Sequence, residues 1–375
     1  MKVTIAIDSL KGSLSSIEAG NAIKEGILRS KPEASVVVKP LADGGEGTVD
    51  AIIEGLGATK VELEVTGPLG APLTAYYGFL EESQTAILEM ASAAGITLLK
   101  KEELNPFQTT TYGVGEIILD GLKRGAKKFI IGIGGSATND GGTGMLRALG
   151  FQFLDSDNNP ISDGAKDLGR IEKILPPSDT SFLHNVEFKI ACDVNNPLCG
   201  KNGATYVFGP QKGLEEADLN SVDQDMNHYA QIAAKTIGQD YARDAGSGAA
   251  GGLGFAFRSF LYGNLTPGID LILNLVDLEK EIIDSDIVVT GEGRLDFQTS
   301  MGKAPIGVAK LGKQHGATVL AFAGSVTADA KECNKKGIDA FFPILRGVST
   351  LEEAMDSENA RNNMADTVEQ VFRLL

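Results

Sequence analysis

The chain has 375 residues, of which 42% are hydrophobic and 22% are charged. Its length exceeds the roughly 250 to 300 residues that a single hydrophobic core usually supports, and its composition is that of an ordinary globular protein, so we expect two domains. The 34 Lys and Arg residues against 50 Asp and Glu residues give a formal net charge of −16. This charge argues against nucleic acid and anionic membrane as partners.

The distribution of apolar residues and cysteines argues against a membrane-spanning protein and against a disulfide-rich or zinc-binding one. No stretch approaches the ~18 consecutive apolar residues of a membrane span, and the N-terminus lacks the pattern of a targeting segment. The three cysteines are an odd number without CxxC spacing, and only three histidines occur, which argues against a disulfide scaffold and a zinc site. We expect a cytoplasmic protein without a membrane partner.

The first elements along the chain alternate between strand and helix. Residues 3–7 (VTIAI) predict a strand that leads through DSLKGSLSS into an amphipathic helix, where Ser15 and Glu18 have the spacing of a capping box. Residues 35–39 (SVVVK) predict a second strand, which leads through PLADGGEG into a helix at 48–56. Strand, glycine-rich loop and helix in this order are typical of a parallel sheet covered by helices on both faces.

Later segments repeat this order with two interruptions. Residues 59–80 alternate apolar and polar side chains around a Gly/Pro turn, which predicts an antiparallel hairpin. The parallel pattern returns at 128–133 (KFIIGI), is interrupted again at 189–213, and resumes at 286–291 (DIVVTG) and 318–324 (TVLAFAG). We interpret the interruptions as parts of a second, mixed domain that is inserted into the first.

Four polar, glycine-rich loops follow predicted strands, at residues 8–12, 43–47, 134–142 and 291–296. Any one of them could be a turn that only tightens the packing of a helix. In open parallel sheets, however, ligands bind outside the carboxyl ends of the strands, where such loops lie. We therefore expect the four loops to converge on one crevice that binds a polyanion.

Two familiar nucleotide motifs fit the sequence only in part. Residues 132–137 match GxGxxA behind a strand, with Asp155 and Asp157 about twenty residues further on, but TNDGGTG delays the next helix. Residues 307–314 resemble a Walker A loop, but Gln314 replaces its Ser or Thr and the segment has a helical pattern. A nicotinamide-dependent oxidoreductase and a non-catalytic nucleotide sensor stay open as alternatives, whereas a P-loop enzyme is excluded.

The few basic residues in and near these loops are candidates for binding an anion. Lys11 lies between a strand end and a capped helix start, where free N–H groups and the helix dipole already favour negative charge. Arg294 offers a planar fork for a carboxylate or phosphate, and Lys303 and Lys212 are lesser candidates. Asp193, which follows the apolar strand KIAC, is either a turn residue or the acceptor of a substrate hydroxyl proton.

The chain closely resembles the bacterial glycerate kinase family in six motifs that occur in order: DSLKGSLSS, PLADGGEGT, GIGGSATNDGGTGML, ACDVNNPLCG, GSGAAGGLGFAF and VVTGEGRLDFQTSMGKAPIGVA. The resemblance extends from Met1 to the C-terminus. It implies an enzyme that uses ATP and Mg²⁺ to phosphorylate D-glycerate, with 2-phosphoglycerate as the favoured product and 3-phosphoglycerate as the alternative.

The resemblance also implies an α/β fold with a flavodoxin-like, three-layer parallel domain, a second, smaller mixed α/β domain, and an active site in the cleft between them. With the predicted elements, we assign residues 1–60, 105–185 and 255–375 to the flavodoxin-like domain. Residues 61–104 and 186–254 form the smaller, inserted domain. The oligomeric state stays open.

The residue patterns and the resemblance together predict how ATP is bound. Phosphoryl transfer depends chiefly on positioning and on neutralising charge. We expect Lys11 to supply catalytic positive charge and Asp193 to act as the base. The residues predicted to bind the phosphates of ATP are Gly134, Gly135, Ser136, Thr138, Asp140 and Gly141.

A second set of residues is assigned to the substrate and the metal. Asp8, Ser9 and Arg294 are predicted to bind D-glycerate, with the guanidinium of Arg294 on the substrate carboxylate. Asp43 and Asp296 are predicted to hold Mg²⁺, which prefers oxygen ligands and keeps several waters.

Overall fold

A computed structural model describes residues 1–42, 47–181 and 185–375. In chain order, the strands are β1 (Lys2–Ile7), β2 (Ser35–Pro40), β3 (Thr59–Thr66), β4 (Pro72–Leu80), β5 (Thr85–Glu89), β6 (Lys128–Gly132), β7 (Gln152–Leu154), β8 (Lys173–Leu175), β9 (Glu187–Ala191), β10 (Asn264–Thr266), β11 (Ile287–Leu295), β12 (Thr318–Val326) and β13 (Ala340–Pro343). The α-helices are Ser16–Ser30, Thr48–Leu56, Ala91–Ala94, Tyr112–Lys123, Thr143–Ala148, Ala204–Phe208, Leu219–Ile237, Leu253–Phe260, Gly268–Leu275, Leu278–Ile282, Phe297–Ser300, Ala304–Gln314, Leu351–Met355 and Ser357–Phe372. None of these helices is both long and apolar enough to cross a membrane.

The chain divides into two compact units. Unit 1 comprises Met1–Asp43, Asp50–Gly57 and Ile269–Leu375, and unit 2 comprises Gly44–Val49 and Ala58–Gly268. The mixed α/β class and the insertion of one unit into the other agree with the prediction. The inserted unit, however, is the larger of the two.

The predicted domain boundaries are wrong for residues 255–268, since unit 2 extends to Gly268. They are also wrong for residues 105–185, which belong to unit 2. This segment carries β6, which pairs in parallel with β5 on one side and with β9 on the other. One continuous hydrophobic core, which includes Phe129 and Phe188 with ring centroids 5.2 Å apart, joins these strands to their helices. Because both units contain parallel strands followed by helices, the pattern of β6 alone did not identify its sheet. The predicted cleft stays a prediction.

Unit 1 has a five-stranded parallel sheet in the order β2-β1-β11-β12-β13. Numbered within the unit, this is the 2-1-3-4-5 order of flavodoxin-like folds, which confirms that part of the prediction. Helices Ser16–Ser30 and Ser357–Phe372 share a core with one face of the sheet, and helix Ala304–Gln314 packs beside Val288 and Val319 of the other face. The strand order reverses between β1 and β11, so this fold binds ligands at the loops that follow them.

The predicted helix start at Ser15 is confirmed. The Ser15 side chain accepts a hydrogen bond from the N–H of Glu18, and the Glu18 carboxylate accepts one from the N–H of Ser15. This reciprocal cap ends the loop that carries Lys11 and begins the helix Ser16–Ser30. The loop between β1 and this helix is therefore fixed at both ends.

Unit 2 has a six-stranded mixed sheet in the order β10-β9-β6-β5-β4-β3. The predicted hairpin at residues 59–80 is confirmed as the antiparallel pair of β3 and β4. Strands β5, β6, β9 and β10 are parallel. Since β6 and β9 are neighbours, the glycine-rich loop after β6 and the turn with Asp193 after β9 leave the same edge of the sheet side by side.

Candidate active site

A pocket of about 420 Å³ lies in unit 1, where the loops after β1 and β11 meet. We call it the unit 1 pocket. It is lined by five of the predicted site residues, namely Asp8, Ser9, Lys11, Arg294 and Asp296. The structure therefore confirms that residues 8–12 and 291–296 come together, although residues 291–295 form the end of strand β11 and not a loop. This is the position at which a flavodoxin-like sheet binds its ligand.

The basic side chains Lys11 and Arg294 of the unit 1 pocket are exposed to solvent. Arg294 is 64% exposed, and its Nε lies 3.7 Å from Oδ2 of Asp296. The other oxygen of Asp296, Oδ1, accepts hydrogen bonds from the N–H groups of Gln298 and Thr299 at 2.8 and 3.3 Å and caps the helix Phe297–Ser300. An exposed ion pair of this kind contributes little to stability, so the Arg294 fork can pair with a ligand carboxylate at small cost.

The sequence analysis gave no role to Glu292, which also lines the unit 1 pocket. Glu292 is only 8% exposed, accepts a hydrogen bond from Thr299 Oγ1 at 2.6 Å, and lies 3.7 Å from Nζ of Lys303. A carboxylate between Gly291 and Gly293 at the end of a predicted strand is the sequence signal that could have identified it. Lys303, a lesser candidate, is placed in the pocket by this contact.

The donor set of the unit 1 pocket suits a hard cation in part. Within the three described ranges, no group of three or more His, Cys, Asp or Glu side chains is arranged to hold a metal. Mg²⁺ needs only one or two carboxylates when phosphates and waters complete its shell, and Asp8, Glu292 and Asp296 supply such oxygens. Asp43 lies outside the described residues, and its metal role stays a prediction.

A second pocket, of about 410 Å³, lies in unit 2 at the carboxyl ends of β6 and β9. We call it the unit 2 pocket. It is lined by Gly134, Gly135 and Ser136 of the glycine-rich loop, together with Asp193 and Lys212. Three of the predicted ATP-binding residues and the predicted base thus share one pocket.

The front of the loop, residues 134–136, presents donors to the unit 2 pocket. Within the described part of the chain, no acceptor is found for the backbone N–H groups of these residues. Gly135 has a φ of +71°, and its carbonyl accepts a hydrogen bond from the N–H of Ile96 at 2.8 Å. The N–H of Ala137 donates to the carbonyl of Ala94 at 2.9 Å. Successive N–H groups held in this way form a concave site for an anion.

The second part of this loop makes its hydrogen bonds within the protein. The Asp140 carboxylate is fully buried and accepts hydrogen bonds from the N–H and Oγ1 of Thr111 at 2.9 and 2.7 Å, and from the N–H groups of Gly142 and Gly144 at 3.0 and 3.3 Å. Burial raises the pKa of Asp140, and these hydrogen bonds act in the opposite direction. The N–H of Gly141 donates to a backbone carbonyl at 2.9 Å. Asp140 and Gly141 therefore hold the shape of the loop.

Three residues of the predicted ATP site lie behind the surface of the unit 2 pocket. Thr138, Asp140 and Gly141 are buried and are not among the residues that line the unit 2 pocket. Gly141 has a φ of +65°, and a Cβ at this position would lie 2.6 Å from the ring of Tyr229. Close packing, which the sequence does not reveal, explains this glycine better than approach to a phosphate.

Asp193 and Lys212 complete the unit 2 pocket. Asp193 is exposed, and its Oδ1 accepts a hydrogen bond at 3.0 Å from the N–H of Gly268, where the helix Gly268–Leu275 begins. Lys212 is buried, and its Nζ donates to Oγ of Ser136 and to the carbonyl of Thr138, both at 2.7 Å. Lys212 was only a lesser candidate from the sequence, because burial of a lysine cannot be read from its neighbours.

The partial dinucleotide motif does not form the corresponding structure. Strand β6 ends at Gly132, but the next helix begins only at Thr143. In the dinucleotide fingerprint the third small residue packs the helix against the strand, and here Ala137 lies well before the helix. The delay expected from TNDGGTG is confirmed. Of the predicted four-loop crevice, only residues 8–12 and 291–296 are shown to meet. Residues 43–46 lie outside the described residues, and the extension of the crevice to residues 134–142 stays a prediction.

Comparison with known proteins identifies a family for the whole chain. Residues 3–375 match the model of the glycerate kinase family. The chain is 45% identical to glycerate kinase of Bacillus subtilis, over 99% of this chain and 97% of that protein. It is 44% identical to glycerate 2-kinase of Escherichia coli, over 94% of this chain and 93% of that protein. A crystal structure of putative glycerate kinase 2 from Salmonella typhimurium superposes with a TM-score of 0.91 at 42% identity, covering 100% of this chain and 98% of the other.

Proposed function

Because the chain belongs to the glycerate kinase family, we propose that it transfers the γ-phosphoryl group of ATP to D-glycerate and forms 2-phospho-D-glycerate. The observation that carries this proposal is the unit 2 pocket, which combines backbone N–H groups, a buried lysine and an exposed carboxylate. Phosphoryl transfer needs groups that position the nucleophile and neutralise charge on the moving phosphoryl group. The name of the Escherichia coli relative supports O2 as the acceptor.

The geometry of the unit 2 pocket supports the following roles. The N–H groups of residues 134–136 hold the phosphates of ATP. Asp193 accepts the proton of the C2 hydroxyl while that oxygen forms a bond to the γ-phosphorus. The bond between the γ-phosphorus and the β,γ-bridging oxygen breaks, and ADP leaves with the electron pair. Because Oδ1 of Asp193 accepts the N–H of Gly268, the carboxylate has a fixed orientation for this task.

The unit 1 pocket supplies recognition of the acid. Arg294 pairs with the glycerate carboxylate, and Asp8 and Ser9 hydrogen-bond to its hydroxyl groups. Lys11 adds positive charge for the reacting phosphates. Asp43 and Asp296 would hold Mg²⁺, which would neutralise charge on the phosphates.

The test is ADP release with purified protein, ATP and Mg²⁺, with and without D-glycerate. We expect ADP release only when D-glycerate is present. Binding of ATP without turnover on any small hydroxy acid would indicate a nucleotide sensor. A rise of the melting temperature with NAD(H), without ADP release, would indicate the oxidoreductase.

A further inference from the structure

The side chain of Lys212 is one of the few charged groups that the fold buries completely. It is 1% exposed. Its Nζ donates to Oγ of Ser136 and to the carbonyl of Thr138, and no ion pair joins it to another described residue. A lysine ammonium has three donors, so two neutral acceptors leave one donor for a further group. A buried charge without such a partner is costly.

The backbone holds Lys212 in this position. Lys212 ends the short 3₁₀ turn Pro210–Lys212, and its N–H donates to the carbonyl of Gly209 at 3.0 Å. The next residue, Gly213, has a φ of +102°, and a Cβ there would lie 2.3 Å from the carbonyl oxygen of Leu104. The turn is therefore tightly packed, and this packing fixes the backbone from which the Lys212 side chain extends into the pocket.

The nearest buried carboxylate does not neutralise the lysine by contact. Asp140 raises the pKa of Lys212 through its charge, but burial acts more strongly and lowers that pKa to about 7. The hydrogen bonds of Asp140 come from Thr111, Gly142 and Gly144. The free protein thus leaves the charge of Lys212 only partly compensated. It lies on the wall of a pocket where the N–H groups of residues 134–136 have no acceptor among the described residues.

We propose that Lys212 is a catalytic residue, whose ammonium group binds the phosphoryl group in transfer together with the backbone N–H groups of residues 134–136. Ser136 belongs to the same site: its oxygen accepts from Lys212, so its hydroxyl hydrogen is available to the phosphoryl group. This inference rests on the proposed function, and it adds a buried cation in unit 2 to the positive charge that Lys11 of unit 1 is predicted to supply.

A pH dependence follows from the proposal. Three ionisable groups surround Lys212. The buried Asp140 carboxylate interacts with its charge, and Asp193 and Cys192 line the same pocket. Burial raises the pKa of Cys192, so this thiol stays neutral near pH 7. Lys212 loses its charge as the pH rises through about 7, and kcat/KM for ATP, which reports the free enzyme, falls in that range. A bound phosphate favours the charged lysine and moves the corresponding limb of kcat to higher pH.

The test compares Lys212→Met, Lys212→Arg and, as a matched control, Lys235→Met, which removes an exposed lysine of unit 2. We expect Lys212→Met to lower kcat/KM for ATP by about 10² or more, and Lys235→Met to behave as the wild type. Lys212→Arg retains its charge, so its remaining activity should show no fall as the pH rises through about 7 to 9. Wild-type kcat/KM in Lys212→Met, or an unchanged alkaline limb in Lys212→Arg, would overturn the proposal.

A binding measurement separates this proposal from the function on which it rests. Calorimetry with inorganic tripolyphosphate needs no turnover and is done at about pH 6 and 8.5, on either side of the expected titration. The proposal expects binding by the wild type that weakens at the higher pH and is lost in Lys212→Met. Equal binding by both proteins would overturn it, even if ADP release is normal. If Lys212→Met fails to fold, as judged by its melting curve, the pH dependence of wild-type binding decides.

Discussion

The two pockets carry their positive charge in different ways. In the unit 1 pocket, Arg294 is largely exposed and Lys11 is exposed, so their fields are weakened by water and by salt. In the unit 2 pocket, Lys212 is buried beside the backbone N–H groups of residues 134–136, where electrostatic interactions are stronger. The exposed Arg294 suits reversible recognition of a carboxylate, and the buried Lys212 suits stabilisation of charge that moves during a reaction. Lys11 adds a weaker, solvent-screened positive charge.

The carboxylates of unit 2 show a similar contrast. Asp140 is surrounded by donors and is fully buried, whereas Asp193 is exposed and lines the pocket. A buried carboxylate with several donors stabilises the fold, and an exposed one in a pocket can exchange a proton with a ligand. Substitution of these residues one at a time tests this division of tasks.

Asp193→Asn should lower kcat by roughly 10² to 10⁴. The amide cannot accept the hydroxyl proton, but its oxygen can still accept the N–H of Gly268, so folding should be retained. Steady-state kinetics and a melting curve of the same preparation check this. A near-normal kcat with intact folding would make Asp193 only a turn residue.

Asp140→Ala should lower the free energy of unfolding by about 3 kcal/mol or more, because it leaves several buried donors without an acceptor. Urea unfolding measures this. Asp157→Ala, which changes an exposed carboxylate in the same unit, is the control and should have little effect. Unchanged stability in Asp140→Ala would show that the loop does not depend on this carboxylate.

Lys11→Ala should lower kcat by about tenfold to 10², the effect of removing one group that stabilises charge. Lys336→Ala, which removes an exposed lysine of unit 1, should leave kcat unchanged. If Lys11→Ala changes only the KM for D-glycerate, then Lys11 belongs to substrate recognition and the phosphate charge is neutralised by other residues.

Arg294→Lys should raise the KM for D-glycerate by about tenfold and lower kcat less, because an ammonium cannot form the two parallel hydrogen bonds of a guanidinium. Arg361→Lys changes an exposed arginine that pairs with Glu25 and serves as the control. A raised KM for ATP with an unchanged KM for D-glycerate would mean that Arg294 contacts the nucleotide.

Much of the fold was predictable from local patterns. The capping box at Ser15 and Glu18, the hairpin at residues 59–80 and the delayed helix after β6 all depend on nearby residues, and all are confirmed. The domain boundaries depend on which sheet each parallel strand joins. That pairing is a long-range property, and β6 has the same apolar pattern as the strands of unit 1.

The sequence predicted which loops form the candidate site, but not which contacts their side chains make. Residues 134–136 and Asp193 were found because a glycine-rich loop and a turn follow neighbouring strands. The structural use of Asp140 and Gly141 depends on donors and side chains far away in the chain. Lys212 was ranked low for the same reason, since its importance comes from burial against the loop.

The most direct test of the proposed activity is ³¹P NMR of a mixture of the protein, ATP, Mg²⁺ and D-glycerate. We predict that the γ-phosphate signal of ATP disappears and that a phosphomonoester doublet appears, because a phosphate on O2 couples to the single hydrogen of C2. A triplet, from the two hydrogens of C3, would contradict phosphorylation at O2. Absence of any phosphomonoester signal would contradict the kinase activity itself.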